Sequence, residues 1–141
     1  MVKYTPTLSV PYARADGGMI GHIVRLEFED GKKICPVITY CAGPNGDRRW
    51  CAKRPKPPYP LVGAEQLALR PDAAVMLVEG EKKRLAGESI MPGFVWLSLL
   101  GGAEAVAVND LKPLAARYVT LWPDADPVGR KAMRLVGEAL A

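Results

Sequence analysis

Residues 73–80 read AAVMLVEG and residues 118–126 read YVTLWPDAD. Each is a short apolar run that closes on acids, Glu79 followed by Gly80 in the first and Asp124-Ala125-Asp126 in the second. An uninterrupted apolar run of this length, bounded by turn residues, has the profile of a strand buried on both faces of a parallel sheet. Between them, EKKRLAGESI (81–90) reads as a helix and GFVWLSLLGG (93–102) as another buried strand ending at a Gly pair. Short helical pieces broken near Pro113 follow. The last stretch, PVGRKAMRLVGEALA, is an amphipathic helix with Val128, Ala132, Leu135, Val136 and Ala139 on its apolar face. Strand and helix in alternation specify an α/β domain with a mostly parallel sheet flanked by helices. Such sheets bind ligands at the carboxyl ends of their strands, where both acidic motifs fall.

Working toward the N-terminus, Ala64–Leu69 reads as a short helix closed by Arg70-Pro71. Residues 55–60, PKPPYP, are stiff and poor in backbone donors, and mark a linker between a lobe of residues 1–60 and a domain of residues 61–141. The front lobe reads as a small antiparallel meander from about Tyr12 to Arg54. Asp16-Gly17-Gly18, Asp30-Gly31 and Gly43–Asp47 are its turns, and Ile20, His22, Val24, Leu26 and Phe28 share one strand face. Pro36 argues for an edge or a bulge in the next strand, and RRWCAKR returns as a short basic one.

The chain has 141 residues and a net charge of +4, unevenly spread: residues 1–60 carry +5 and residues 61–141 carry −1. A basic front half favours polyanionic partners, nucleic acid among them, although a charge excess of this size also reads as an ordinary solvated surface. No apolar run is long enough to cross a membrane, and the Pro-interrupted N-terminus lacks the core of a signal peptide. Cys35, Cys41 and Cys51, with His22 as the one histidine, match no zinc spacing and read as reduced thiols. A cytoplasmic protein without zinc is expected.

If the two acid-tipped strands are neighbours, Glu79, Asp124 and Asp126 converge. Three like charges in a small volume need protons or a hard divalent cation, and Mg²⁺ suits such a donor set. Gly80 would let a phosphate approach. Each acid also has a plainer reading: Asp126 ahead of Pro127 is an ordinary helix N-cap, Asp124 a turn residue, Glu79 a solvated strand end.

LVEGEKKRLAG (77–87), the Gly-Gly after the second strand and VTLWPDADPVGRKAM (119–133) together resemble the Toprim domain shared by bacterial-type primases, topoisomerases and some nucleases. Their spelling is similar to that of primase-helicase proteins of phages and mobile elements, and Pro60-Leu61-Val62-Gly63 resembles the segment that leads into the domain in that group. The resemblance implies a Toprim-like fold behind a β-rich lobe, and a nucleotidyltransferase that makes primers in DNA replication. Glu79 becomes the catalytic or metal-associated carboxylate, Asp124 and Asp126 become ligands of Mg²⁺ (with Mn²⁺ as a substitute), and Gly80 and Gly129 permit close approach. Single-stranded DNA, nucleoside triphosphates and a helicase module are the implied partners.

Lys33, Arg48, Arg49, Lys53 and Arg54 would hold template phosphates, with Lys82 as a further contact and Trp50 stacking on a base. Trp50 reads equally as core, and Lys82, Lys83 and Arg84 as a solvated helix face. There are two departures from the family pattern. Lys83 stands where bacterial replicative primases have a further acid, which opens the question of a second metal. The chain also stops at Ala141, where a complete Toprim sheet continues, so a C-terminally truncated domain is expected. A Toprim nuclease, or a non-catalytic nucleic-acid-binding module on a Toprim scaffold, are the alternatives. A topoisomerase lacks support, since no tyrosine sits in a recognisable cleavage module.

Overall fold

The protein is described by a computed structural model over residues 4–141, so the first three residues of the expected N-terminal lobe lie outside it. The chain forms two compact units. One comprises Met19–Lys56 with the residues up to Tyr12, the other Pro57–Ala141 with Ala13–Gly18. The change from one to the other falls inside the Pro-rich stretch, and the Asp16-Gly17-Gly18 turn belongs with the second unit.

The first unit is an antiparallel sheet of β1 (Tyr4–Ala13), β2 (Met19–Phe28), β3 (Lys33–Ile34), β4 (Val37–Ala42) and β5 (Arg48–Ala52). The strand order is β1-β2-β4-β5, with β3 pairing β2. β1 starts eight residues earlier than the sequence suggests and runs through Pro6 and Pro11. It lies at the edge of the sheet, where a strand tolerates prolines because half its donors face no partner. Pro36 falls between β3 and β4, and its carbonyl accepts a hydrogen bond from the Val24 N–H (3.0 Å).

The pleat assigns the faces of this sheet differently from simple hydropathy. Gly21 and Ile23 on β2, with Val37 and Thr39 opposite them on β4, form the buried face. The face that holds Ile20, His22, Val24, Leu26 and Phe28 is only half-buried. Gly21 is needed where it is, since a Cβ there would meet the Ile38 carbonyl oxygen at 2.0 Å. Among the described residues no disulfide joins Cys35, Cys41 or Cys51.

The second unit contains α1 (Glu65–Leu69), β6 (Val75–Val78), α2 (Glu81–Ile90), β7 (Val95–Ser98), two 3₁₀ helices (Ala103–Val108 and Lys112–Leu114), β8 (Val119–Leu121) and α3 (Pro127–Leu140). Its sheet is fully parallel in the order β7-β6-β8, so the strand ending at Glu79 is central and pairs directly with the strand that leads to Asp124. Val75, Leu77, Val95 and Leu97 pack on one side with Leu61, Ala132, Met133 and Val136. Met76, Val78 and Trp96 form a smaller cluster on the other.

The buried stripe of α3 is Gly129, Ala132, Met133 and Val136, the i, i+3, i+4, i+7 set. Val128 (56% exposed) and Leu135 (39%) lie off it, and Ala139 is also exposed, against the expected face. The helix is rotated by its first turn, in which Gly129 and not Val128 is pressed against the sheet. Among the described residues no helix is long and apolar enough to cross a membrane.

Candidate functional site

β6 ends at Val78, and Gly80 is the N-cap of α2, so Glu79 stands at the carboxyl edge of the central strand. β8 ends at Leu121, and the Trp122 N–H still reaches the Leu77 carbonyl (2.9 Å), carrying the pairing up to the Pro-Asp-Ala-Asp turn. That register brings the acids together: the Asp124 N–H donates to Glu79 Oε1 at 2.8 Å. Asp126 is the N-cap of α3, and its Oδ1 accepts from the Gly129 N–H at 2.7 Å. The capping reading of Asp126 is therefore realised in the structure, and it coexists with Asp126 lying near enough to Glu79 to act on its charge.

Gly129 makes this approach possible. A Cβ on it would meet Glu79 Oε1 at 2.3 Å, Asp124 Cβ at 2.7 Å and the Asp124 backbone nitrogen at 2.8 Å. Gly80 differs: its φ of −144° is extended backbone, and nothing lies within 4 Å of a Cβ built there. No neighbour within the chain requires a glycine at that position, and the space beside it is open. At the neighbouring edge of β7, Asn109 is buried and bonds Leu100 through both its amide oxygen (2.8 Å) and nitrogen (3.0 Å). It braces the turn that opens the Gly101-Gly102 pair.

Electrostatically the cluster is one-sided. Burial pushes the Glu79 carboxyl above the ordinary carboxylate range, Lys83 pulls it down, and Asp126 pushes it up again. Lys83, one helical turn beyond Glu79, forms an ion pair with Asp124 Oδ1. The chemistry of the donors, three carboxylates with hard oxygens, fits a hard divalent cation. Their arrangement here is different: among the described residues no three His, Cys, Asp or Glu side chains are grouped to hold a metal ion. Lys83 supplies the positive charge that Asp124 receives, and a cation at this edge requires that pair to open.

The expected basic helix face also divides. Lys82 and Lys83 are exposed, but Arg84 is buried against Gly63, pairs with Glu88 at 3.5 Å and, among the described residues, finds no partner for its Nε. The sequence hid this because a cation beside two solvated lysines reads as one more solvated cation.

In the first unit, Lys33, Arg48, Arg49, Lys53 and Arg54 are all exposed, and among the described residues none is in an ion pair. They do not form one patch. Arg48 shares the face of Trp50, while Arg49 and Lys53 project on the opposite side of β5 or its continuation, and Lys33 sits on the short β3 beside Glu27. Trp50 is not core. It is 55% exposed and lies directly opposite Tyr40, with ring centroids 5.3 Å apart, while the His22 ring, one strand further across the sheet, lies 6.1 Å away. Neither Tyr40 nor His22 stands out in the sequence as a site residue. The signal that could have found Tyr40 is the turn centred on Asn45, which sets residues 40 and 50 opposite one another.

The fold is similar to that of a primase domain. The solved structure of bacteriophage T7 lagging-strand DNA polymerase interacting with primase domains of two gp4 subunits bound to an RNA/DNA hybrid and dTTP matches with a TM-score of 0.61 and 18% identity. The match covers 99% of this chain but 62% of the other, so the chain spans less than two-thirds of the length of its structural neighbour. At that identity the likeness speaks for the fold alone, a mixed α/β primase-like one. No curated protein matches the sequence. The family model described as Domain of unknown function (DUF6371) matches residues 24–125, which reach from the second strand of the antiparallel sheet through Glu79 to the Asp124 turn, and the chain belongs to that family.

Proposed function

We propose that this chain is the Toprim-type core of a primase, a nucleotidyltransferase that depends on Mg²⁺ or Mn²⁺ and acts on single-stranded nucleic acid in phage or mobile-element DNA replication. The observation that carries the reading is the hydrogen bond from the Asp124 N–H to Glu79 Oε1, which ties two acid-tipped parallel strands together at the edge where α/β sheets bind ligands. The neighbouring structure contains primase domains bound to an RNA/DNA hybrid and dTTP, the classes of ligand this reading requires.

In primer extension a 3′-hydroxyl oxygen bonds to the α-phosphorus of a nucleoside triphosphate as pyrophosphate leaves. Asp124 and Asp126 would hold the divalent cation, which when bound neutralises charge on the phosphoryl oxygens and the attacking or leaving oxygen. Glu79 takes the proton of the attacking hydroxyl. Its raised pKa makes it a stronger base than an ordinary carboxylate, and only Oε1 is engaged by the Asp124 N–H. Lys83 would have to release Asp124 for a cation to be held there, which would free its ammonium for a phosphate. The open space beside Gly80 admits a phosphate. The first unit binds template, and a helicase module is the expected companion.

The Lys83–Asp124 ion pair favours a second reading, a nucleic-acid-binding module in which the Toprim half is scaffold. Incubation with single-stranded DNA, labelled nucleotides and Mg²⁺ or Mn²⁺ separates the readings. Template-dependent primer products are expected. Nicked DNA would instead identify a nuclease, and binding with no turnover the scaffold.

A further inference from the structure

An antiparallel sheet with one face in solvent ordinarily presents polar side chains there. The outer face of β2, β4 and β5 departs from this. Tyr40 and Trp50, each 55% exposed, stand opposite one another in the register, and His22 flanks Trp50 from β2. Folding leaves about half of the Tyr40 and Trp50 surfaces in water. The rings are tilted 52° (Tyr40 on Trp50) and 62° (His22 on Trp50) from one another, so they do not stack into a closed column. Tyr40 and Trp50 keep about half of their surface open to solvent, and His22 is half-buried beside them.

The surroundings select what covers them. Arg48 is on the same face two residues before Trp50, exposed and outside any ion pair among the described residues. Ala42 and Ala52, also exposed on that face, are too small to obstruct a ligand. The first 60 residues carry a net charge of +5. Aromatic rings beside an unpaired cation on a basic lobe match a polyanion whose repeating units carry flat aromatic faces.

We propose that His22, Tyr40 and Trp50 form a stacking platform for the bases of single-stranded nucleic acid, with Arg48 on its backbone phosphate. Every base has a π-face, so recognition is by stacking and tolerates sequence; a duplex, whose bases are already stacked, does not satisfy it. This rests on the reading above only for the polymer, and it requires no catalysis: a chain without nucleotidyl transfer can still possess the platform.

The test uses the full chain without nucleotides or metal, and a labelled oligothymidylate of about 12 nucleotides, within the range of single-strand sites. Trp50→Ala and Tyr40→Ala should each weaken binding roughly fivefold or more, the usual loss per stacked base, with the salt slope unchanged. Trp50→Phe and Tyr40→Phe should retain most of the affinity, which separates stacking from a general loss of fold. Arg48→Gln should lower the salt slope by about 0.7, and Arg49→Gln on the other face should lower it less. A same-length duplex should bind more weakly than the single strand. The platform is refuted if wild type fails to bind the strand, or if the two alanine variants bind like wild type. It is equally refuted if Trp50→Ala turns a self-associated protein into a monomer, for then the rings face a second copy. Absence of primer synthesis bears on the proposed activity and not on this outcome.

Discussion

Adding one methyl group at Gly129 tests the architecture of the acidic edge. The Cβ of Gly129→Ala would lie 2.7 Å from Asp124 Cβ and 2.8 Å from the Asp124 nitrogen, both fixed to the backbone, and 2.3 Å from Glu79 Oε1. The carboxylate can swing aside only by losing the 2.8 Å hydrogen bond from Asp124, and α3 can retreat only by disturbing its cap at Asp126. Overpacking of this kind costs about 1–3 kcal/mol. Loss of a hydrogen bond to a charged group adds about 1.5–3 kcal/mol. Against these, alanine is a better helix former than glycine by about 0.8–1.0 kcal/mol. Since the costs overlap, the net expectation is a destabilisation of about 2–4 kcal/mol. At a urea slope of about 2 kcal/mol/M this moves the midpoint down by roughly 1–2 M.

Gly80→Ala is the matched control. It lies in extended backbone with open space at its Cβ, so its only structural cost is that of alanine in place of glycine at an N-cap, about 0.5–1 kcal/mol. Equilibrium urea unfolding followed by far-ultraviolet circular dichroism compares the two. An unchanged midpoint for Gly129→Ala, or a larger loss for Gly80→Ala, would refute the packing argument. If the open space beside Gly80 receives a phosphate, Gly80→Ala should lower turnover by more than its small loss of stability explains.

Glu79→Gln should fold normally yet cut primer synthesis by about 10²–10⁴-fold, the usual contribution of a positioned acid or base; turnover within threefold of wild type, a margin of about 0.7 kcal/mol, would remove Glu79 from catalysis. The same variant has a signature in stability. Glu79 binds its proton more tightly folded than unfolded, so its contribution is present at acid pH and is lost as pH rises from the unfolded value near 4.5 through the raised folded one. Urea midpoints measured across that interval should slope downward for wild type and less so for Glu79→Gln. Lys83→Ala should release Asp124 and tighten Mn²⁺ binding, read by calorimetry, by up to about fivefold, the worth of a half-exposed ion pair; equal or weaker binding would show that Lys83 does not compete with the ion.

How much of this was readable in the sequence depends on whether the information was local. The parallel unit was, because an uninterrupted apolar run ending in an acid fixes both a buried strand and the direction in which its end points. Two such runs in one sheet then have to bring Glu79 and Asp124 to the same edge, whatever the loops do. The rotation of α3 was not, because Gly129 carries no hydropathy: it is buried for what it lacks, and a hydrophobic pattern follows Val128 instead. The basic residues of β5 divide between two faces for a different reason. Arg48, Arg49 and Lys53 are close in sequence, but a strand sends alternate side chains to opposite faces, so proximity along β5 does not gather charge. Tyr40 and Trp50, ten residues apart, are closer in effect than Arg48 and Arg49, which are adjacent, because the turn at Asn45 folds the first two onto each other. Lys83 lies between these cases. Four residues after Glu79 is one helical turn, so its nearness to the acids follows from helix geometry, while its pairing with Asp124 depends on the register that sets the two strand ends side by side. Lys83 still draws the Glu79 pKa down, but burial outweighs it and Asp126 adds to the burial, so the affinity of Glu79 for a proton rises.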